Sequence, residues 1–291
     1  MAVPELPEVE TVKRGLLKYL VGKKVKSVTS DWPKSFPNAK GDVDAFLLGA
    51  SVVDVRRRAK VLLIDLSTNY TLVVHLKMTG QLVYVKKLEH WGGGHPNDSL
   101  VGRLPDKSTH VTFEFEDGSH LYFNDQRKFG WVRLMPTIEV PNIDFMKRVG
   151  PEPLEADFTS KQFSERFKRR ARTSIKAAIL DQSVIAGVGN IYADESLWGA
   201  KIHPARLVNT ITDKEFGDLY REVRTVMNLS IEKGGSTDRN YVDAEGKKGS
   251  YLKFANVFRR EGLPCPRCGT EIIKMKVAGR GTHICPKEQV L

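Results

Sequence analysis

Apolar residues near the head of the chain fall three or four apart: Val9, Val12, Leu16 and Leu20, with Leu17 beside them, behind Pro7 and Glu8. That period puts them on one face of a helix, and a proline followed by an acid suits a first helical turn, so the spacing predicts a helix from Pro7. Between Lys24 and Leu134 the period shortens to two. In "HVTFEFEDGSHLYF", Val111, Phe113 and Phe115 alternate with polar residues before an Asp117-Gly118 turn, as in a hairpin with one buried face. Runs of this kind predict a β-sandwich or flattened barrel. Within the same segment "EHWGGGHPNDSLVGRLPDKS" has neither period and is rich in Gly, Pro and Asp, which predicts a long surface loop. Four prolines in "MPTIEVPNIDFMKRVGPEPLEADF" predict a linker, with a domain boundary near residues 135 to 155. Helical spacing then dominates, in "SKQFSERFKRR", "TSIKAAILDQ" and "DKEFGDLYREVRTVMNLSIEKG". Beyond Gly234 the chain is rich in glycine and basic residues up to about Lys248, and all three cysteines follow Pro264. There is no internal repeat and no long low-complexity tract.

Composition narrows the function. With 291 residues and 41% hydrophobic content the chain can fill more than one core. Lys and Arg outnumber Asp and Glu by 46 to 35, a net charge of +11, which favours a polyanionic partner such as nucleic acid or an acidic membrane surface. No apolar run approaches the ~18 residues of a membrane span, and no basic stretch precedes an apolar core as in a secretory signal. The expectation is a soluble intracellular protein. In a chain of this size three clustered cysteines point to metal rather than to a disulfide framework.

Two stretches carry candidate chemistry. Cys265 and Cys268 form a C-x2-C knuckle, and Cys285 opens "CPKE", so a four-ligand ribbon needs its last donor at Glu288. A carboxylate can ligate zinc and His283 is a nearby alternative, so Cys3Glu and Cys3His both stand, beside a hairpin without metal. The hairpin would present Arg280 at a glycine-flanked tip suited to a phosphate or groove contact. In "AILDQSVIAGVGNIYADESLWGAKIHPAR" an apolar helix runs into Gly187-Val188-Gly189-Asn190, and a second helix begins at Ile191 or Tyr192. Glycines there let backbone N–H groups converge on an anion, with Asn190 as cap and amide donor; the plainer alternative is a tight interhelical turn. It is not a dinucleotide fingerprint, because it follows a helix and Tyr192 takes the third glycine place.

Taken together, "PELPEVETVKRGL", "HLKMTGQL", "NDQRKFG", "LDQSVIAGVGNIYADESLWGAKIHP" and "PCPRCGT…GRGTHICP" resemble the formamidopyrimidine-DNA glycosylase family across nearly the whole chain, in the right order. The "GGSTDRNYVDAEGKKGSY" stretch resembles the lesion-capping loop of its 8-oxoguanine enzymes rather than the endonuclease VIII branch. The resemblance implies an α+β multidomain fold: an N-terminal helix with a β-sandwich, a helix–two-turn–helix domain, and a C-terminal zinc-ribbon-like β-hairpin. It implies a catalytic β-sandwich domain over residues 1–136, a linker over 137–155, a helical DNA-binding domain over 156–233, and the capping loop with the zinc-finger-like hairpin over 234–291. The partner it implies is damaged double-stranded DNA, bound by a cytoplasmic, nucleoid-associated bacterial monomer holding one structural zinc ion. It also implies roles: Pro4 as nucleophile, Glu5 as the acid that assists sugar ring opening, and Lys60 as the phosphate-contacting lysine of the catalytic set. Glu8 is implied near the lesion; Met78, Arg127 and Phe129 entering the duplex; Asn190 and Arg280 gripping the backbone; and Cys265, Cys268 and Cys285 with position 288 holding zinc. Lone residues such as Met78 and Phe129 more often pack a core, but "MTG" and "QRKFG" set each beside glycine and cationic neighbours, a poor setting for one.

One position departs from the family. The nucleophilic proline follows the initiator Met directly in the family, whereas here Ala2 and Val3 intervene. An internal proline nitrogen is a tertiary amide whose lone pair is delocalised and does not attack. Three readings follow: translation starts at position 3, with Val3 standing for a GTG start read as Met; residues 1–3 are trimmed; or the protein binds lesions without lyase chemistry. The first is preferred. Against the glycosylase and lyase stand the non-catalytic lesion-binding protein and, on charge and tail alone, a zinc-ribbon RNA or ribosome binder.

Overall fold

A computed structural model describes residues 4–95, 97–236 and 251–291. The sequence expectations for Ala2 and Val3, and for the capping loop from residue 237 onward, lie outside them. The chain divides into two compact units, one of Met1–Lys147 with Lys233–Ser250 and the other of Arg148–Glu232 with Tyr251–Leu291.

The first unit opens with helix α1 (Leu6–Leu20), followed by β1 (Val25–Ser30), α2 (Lys40–Phe46), β2 (Val52–Arg58), β3 (Val61–Leu66), β4 (Tyr70–His75), β5 (Gly80–Lys86), β6 (Glu89–Gly94), β7 (Thr109–Phe115), β8 (His120–Asp125) and β9 (Trp131–Pro136). These strands form two antiparallel sheets, ordered β1-β7-β8-β5-β6 and β2-β3-β4-β9. The alternating Val111, Phe113 and Phe115 meet Leu62, Ile64, Leu72 and Val74 of the other sheet in one core, which Val9, Val12, Leu16 and Leu20 of α1 complete. β3 is buried on both faces: Val61 and Leu63 join Val73 and Val140 in a second cluster on the outer side. A short helix α3 (Asp144–Arg148) follows in the proline-bearing segment.

The glycine-rich stretch read as a surface loop is in part a strand. Glu89–Gly94 pairs with β5 over its full length and buries Trp91 to 2% exposure. A Cβ on Gly93 would stand 2.8 Å from Val12 Cγ2, so the absence of side chains is what lets this edge strand lie against α1. Residues 97–108 are irregular apart from a short 3-10 helix at Asp98–Leu100, and Leu100 is buried.

The second unit holds α4 (Ser160–Lys168), α5 (Ile175–Leu180), α6 (Asn190–Gly199) and α7 (Asp213–Glu232), then the hairpin of β10 (Ile273–Val277) and β11 (Arg280–Ile284). Thr159 and Gln162 cap α4 reciprocally, and Ser174 Oγ accepts from the Ala177 N–H at the head of α5. α7 is amphipathic, burying Phe216, Leu219, Val223, Val226 and Met227 on one stripe. α6 differs: Ile191 through Leu197 are all buried, because α5, α7 and β11 pack around it. No helix among the described residues is long and apolar enough to cross a membrane.

Candidate active site, nucleic-acid contacts and metal centre

At the head of α1, Pro4, Glu5 and Glu8 are all buried. Glu5 stands at the N-cap with extended backbone, and its N–H donates to Glu8 Oε2 at 2.9 Å. The other Glu8 oxygen accepts from the Ser236 N–H at 2.8 Å, so two backbone donors fix this carboxylate. Pro7 occupies the first turn, while Pro4 precedes the helix. Arg57 ties α1 to the sheet: its Nε donates to Glu10 Oε2 at 3.0 Å and its Nη1 to the Ala59 carbonyl at 3.0 Å. Lys60 follows Ala59 in the β2–β3 turn, where Ala59 has a φ of 52°.

Met78, Arg127 and Phe129 come together. Met78 sits in the turn between β4 and β5, and the other two lie in the turn between β8 and β9. Arg127 Nη1 lies 3.0 Å from Met78 Sδ, and the guanidinium stands over the Phe129 ring at 4.7 Å from its centroid. Phe129 is 51% exposed, unusual for a ring this size, and Arg127 is exposed with it. An exposed apolar ring under a cation is a surface feature rather than a core.

In the second unit the Gly187-to-Asn190 loop is sutured by Gln182, whose Oε1 accepts from the Gly187 N–H at 2.9 Å and whose Nε2 donates to the Val188 carbonyl at 2.8 Å. Gly189 is the N-cap of α6 and Asn190 its first residue, one position earlier than the spacing suggests. The Asn190 side chain does not cap the helix: its Nδ2 donates to the Gly281 carbonyl at 2.9 Å and holds the β-hairpin beside the loop. Ala278 and Gly279 make the hairpin turn, both with positive φ, and Arg280 follows exposed as the first residue of β11. Deeper in this unit Asp194 pairs with the fully buried Lys176, and its Oδ2 accepts from the His283 backbone N–H at 3.0 Å. Glu195 accepts from the backbone N–H groups of Asn256, Val257 and Phe258 at 2.8 to 2.9 Å; burial pushes its carboxyl up while these donors pull it down.

Comparison with known families accounts for these elements in order. The formamidopyrimidine-DNA glycosylase N-terminal domain matches residues 3–132, the H2TH domain of the same enzymes residues 149–241, and the zinc finger found in FPG and IleRS residues 262–287. A formamidopyrimidine-DNA glycosylase of Pediococcus pentosaceus is 44% identical over 99% of this chain and 100% of its own. The chain belongs to the formamidopyrimidine-DNA glycosylase family. Among solved structures, the complex of a Lactococcus lactis FPG mutant with a Fapy-dG-containing DNA matches with a TM-score of 0.86 at 35% identity, over 98% of this chain and 99% of that one. MutM in complex with carbocyclic 8-oxo-G-containing DNA matches with a TM-score of 0.85 at 35% identity, over the same shares.

The family's zinc site fits three of the four ligands expected here. The sulfurs of Cys265, Cys268 and Cys285 lie within 4.8 Å of one another, with Cys268 and Cys285 3.5 Å apart. Tetrahedral zinc with bonds of about 2.3 Å sets thiolates roughly 3.8 Å apart, so the cluster suits one ion. Such an ion would clamp the knuckle to the hairpin, packed on Val257, Ile272 and Trp198. Glu288 takes other partners in this structure. Its Oε2 lies 3.1 Å from Arg267 Nη1 and 3.3 Å from Lys201 Nζ, because two cations flank position 288, and it does not join the sulfurs. His283 turns Nδ1 to Asp194 at 3.1 Å, so among the described residues no fourth His, Cys, Asp or Glu completes the set.

Two residues of this family fold went unnamed in the sequence. His75, in "HLKMTGQL", accepts from the Lys77 N–H on Nδ1 at 3.0 Å, which leaves the neutral ring's proton on Nε2. Burial, reinforced by the Lys77 and Lys60 ammonium groups, pushes its pKa down to about 3. Asp125, in "NDQRKFG", is fully buried under the Phe129 turn. Each lies within a few residues of Met78 or Phe129 in the sequence, and that adjacency was the available signal.

Proposed function

We propose that the protein is a bifunctional DNA glycosylase and AP lyase that excises oxidised purines, 8-oxoguanine and formamidopyrimidines, from duplex DNA through Pro4. The observation that carries this is the grouping of Pro4, Glu5 and Glu8 ahead of and within the first turn of α1, in a chain of this family. Related complexes with Fapy-dG and 8-oxo-G DNA support the substrate class. A free prolyl nitrogen is a secondary amine of pKa near ~8, about a tenth unprotonated at neutral pH, well ahead of a lysine near ~10.4. It attacks C1′, the base leaves, and the resulting iminium activates the sugar for β- and then δ-elimination. Glu5 moves protons during ring opening and elimination. Base extrusion costs a few kcal/mol, which Met78 and Phe129 offset by filling the gap while Arg127 bonds the widowed partner. Lys60, Asn190 and Arg280 contact phosphates, and Glu8 borders the lesion.

The chemistry requires Pro4 to be the first residue of the active enzyme. The family's N-terminal domain match runs over residues 3–132 and so includes Pro4, which supports Pro4 in the nucleophile's place. Borohydride trapping on a duplex with one 8-oxoguanine opposite cytosine, followed by peptide mapping, tests this. The expected product is an adduct on a peptide beginning at Pro4. Lesion binding without an adduct, by natively expressed protein that begins at Met1 or Ala2, would overturn it in favour of a lesion-binding module.

A further inference from the structure

The loops that carry Met78 and Phe129 are far apart in sequence yet share one buried anchor. Asp125 has no exposed surface, and Thr79 is 1% exposed. Asp125 Oδ2 accepts from the Phe129 N–H at 2.8 Å and the Gly130 N–H at 2.6 Å. Its Oδ1 accepts from the Arg127 N–H at 3.1 Å and from the Thr79 hydroxyl. The Thr79 oxygen in turn accepts from the Arg127 N–H at 3.1 Å. The carboxylate thus reaches one loop through three backbone N–H groups and the other through a side-chain hydroxyl. Gly130 permits the approach, since a Cβ there would meet Phe123 Cζ at 2.7 Å and Asp125 Oδ2 at 3.1 Å. Lys128 turns the chain with a φ of 56°, and its N–H bonds the Asp125 carbonyl at 3.2 Å.

We propose that Asp125, linked through Thr79, is a positioning residue that locks the Met78 loop and the Arg127–Phe129 loop into one frame, so that the three side chains enter the duplex as a single preassembled wedge. This rests on the reading of those three residues given above. Neither Asp125 nor Thr79 touches the nucleic acid in this scheme. They act by sparing the wedge the ordering of two loops during extrusion, and a misplacement of ~1 Å at such a site costs on the order of 100-fold in rate. Thr79→Val keeps the shape and removes both the donor to Asp125 and the acceptor for Arg127, whereas Thr79→Ser keeps the hydroxyl.

The test is single-turnover excision of 8-oxoguanine by the full-length protein, with 2-aminopurine beside the lesion to report unstacking and an abasic duplex as a substrate with no base to extrude. Thr79→Val is expected to lower excision and the 2-aminopurine signal together by about tenfold or more, with abasic-site nicking changed less than about threefold. Thr79→Ser restores both. Asp125→Ala, which frees both loops, is expected to exceed Thr79→Val; if it fails to fold, the Thr79 pair decides alone. Wild-type excision and unstacking in Thr79→Val, while Phe129→Ala loses both, overturns this inference and leaves the wedge reading standing. Wild-type excision in Phe129→Ala overturns the wedge reading and this inference with it.

Discussion

Asp194→Asn removes the charge that faces Lys176 inside the helical unit. Neither side chain has exposed surface, and Asp194 also receives the His283 N–H at 3.0 Å. An amide can still accept from His283, but the buried ammonium then faces a neutral group. Breaking a buried pair from one side costs about 3–5 kcal/mol, because the remaining charge stays desolvated. At ~1.4 kcal/mol per tenfold, that raises the local opening constant by roughly two to three and a half decades. Hydrogen exchange of the α6 and β11 amides in the full chain reads this directly, since these elements flank the pair. Lys176→Met alone is expected to cost a similar amount by stranding the carboxylate. The double variant Lys176→Met/Asp194→Asn leaves two neutral groups and is expected to regain most of the loss. Less than a tenfold change in Asp194→Asn, or a double variant no better protected than either single one, would refute the reasoning.

His75 predicts an acid limb in stability. The fold holds it neutral down to about pH 3, whereas an unfolded histidine titrates near ~6.5, so between these values the unfolded chain binds a proton that the fold refuses. Its contribution is complete above ~6.5 and is lost as the pH falls toward 3. Urea midpoints of His75→Gln are expected to fall less steeply across that window, and an unchanged slope would contradict it. Glu288→Cys places a fourth sulfur at the finger, three residues after Cys285, and is expected to slow zinc transfer to a chromogenic chelator by at least about tenfold. Equal transfer rates in the two proteins would mean that position 288 does not face the ion.

What the sequence made legible follows from how far apart the interacting residues stand. The helical spacing in α1 and the alternation in β7 need only neighbours three, four or two positions away, and both elements appear with their apolar faces in the core. β6 escaped because the pattern depends on side chains, and its glycines have none; the reason for the strand lies in Val12 and Leu100, outside the local window. α6 was visible as a helix, but the burial of its Asp194-Glu195-Ser196 run was not, since its partners come from α5, β11 and residues 256–258. The Asp125–Thr79 link spans 46 positions and has no sequence signature. Spacing alone made Glu288 the last metal donor; Arg267 and Lys201, which draw it elsewhere, become its neighbours only in the folded unit.

The two prolines that open the chain divide the labour a helix entry would assign to either. A proline at the start of a helix is accounted for by its fixed φ and by the missing N–H that the first turn would leave without an intrahelical partner. Pro7 meets that description in the first turn of α1, and nothing in helix entry then calls for Pro4, which precedes the N-cap Glu5. Pro4 is buried all the same, next to a Glu5 that is 3% exposed and one helical turn from a Glu8 fixed by two backbone donors. The hydrogen bonds to Glu5 and Glu8 offset the cost of burying them, and two buried carboxylates gathered beside Pro4 fit the proton-transfer role proposed above. A prolyl amine that becomes cationic as the base leaves is the kind of group such carboxylates serve. The same argument makes the identity of the first residue decisive: with Pro4 acylated by Val3, the carboxylates would face an amide that neither attacks nor gains charge.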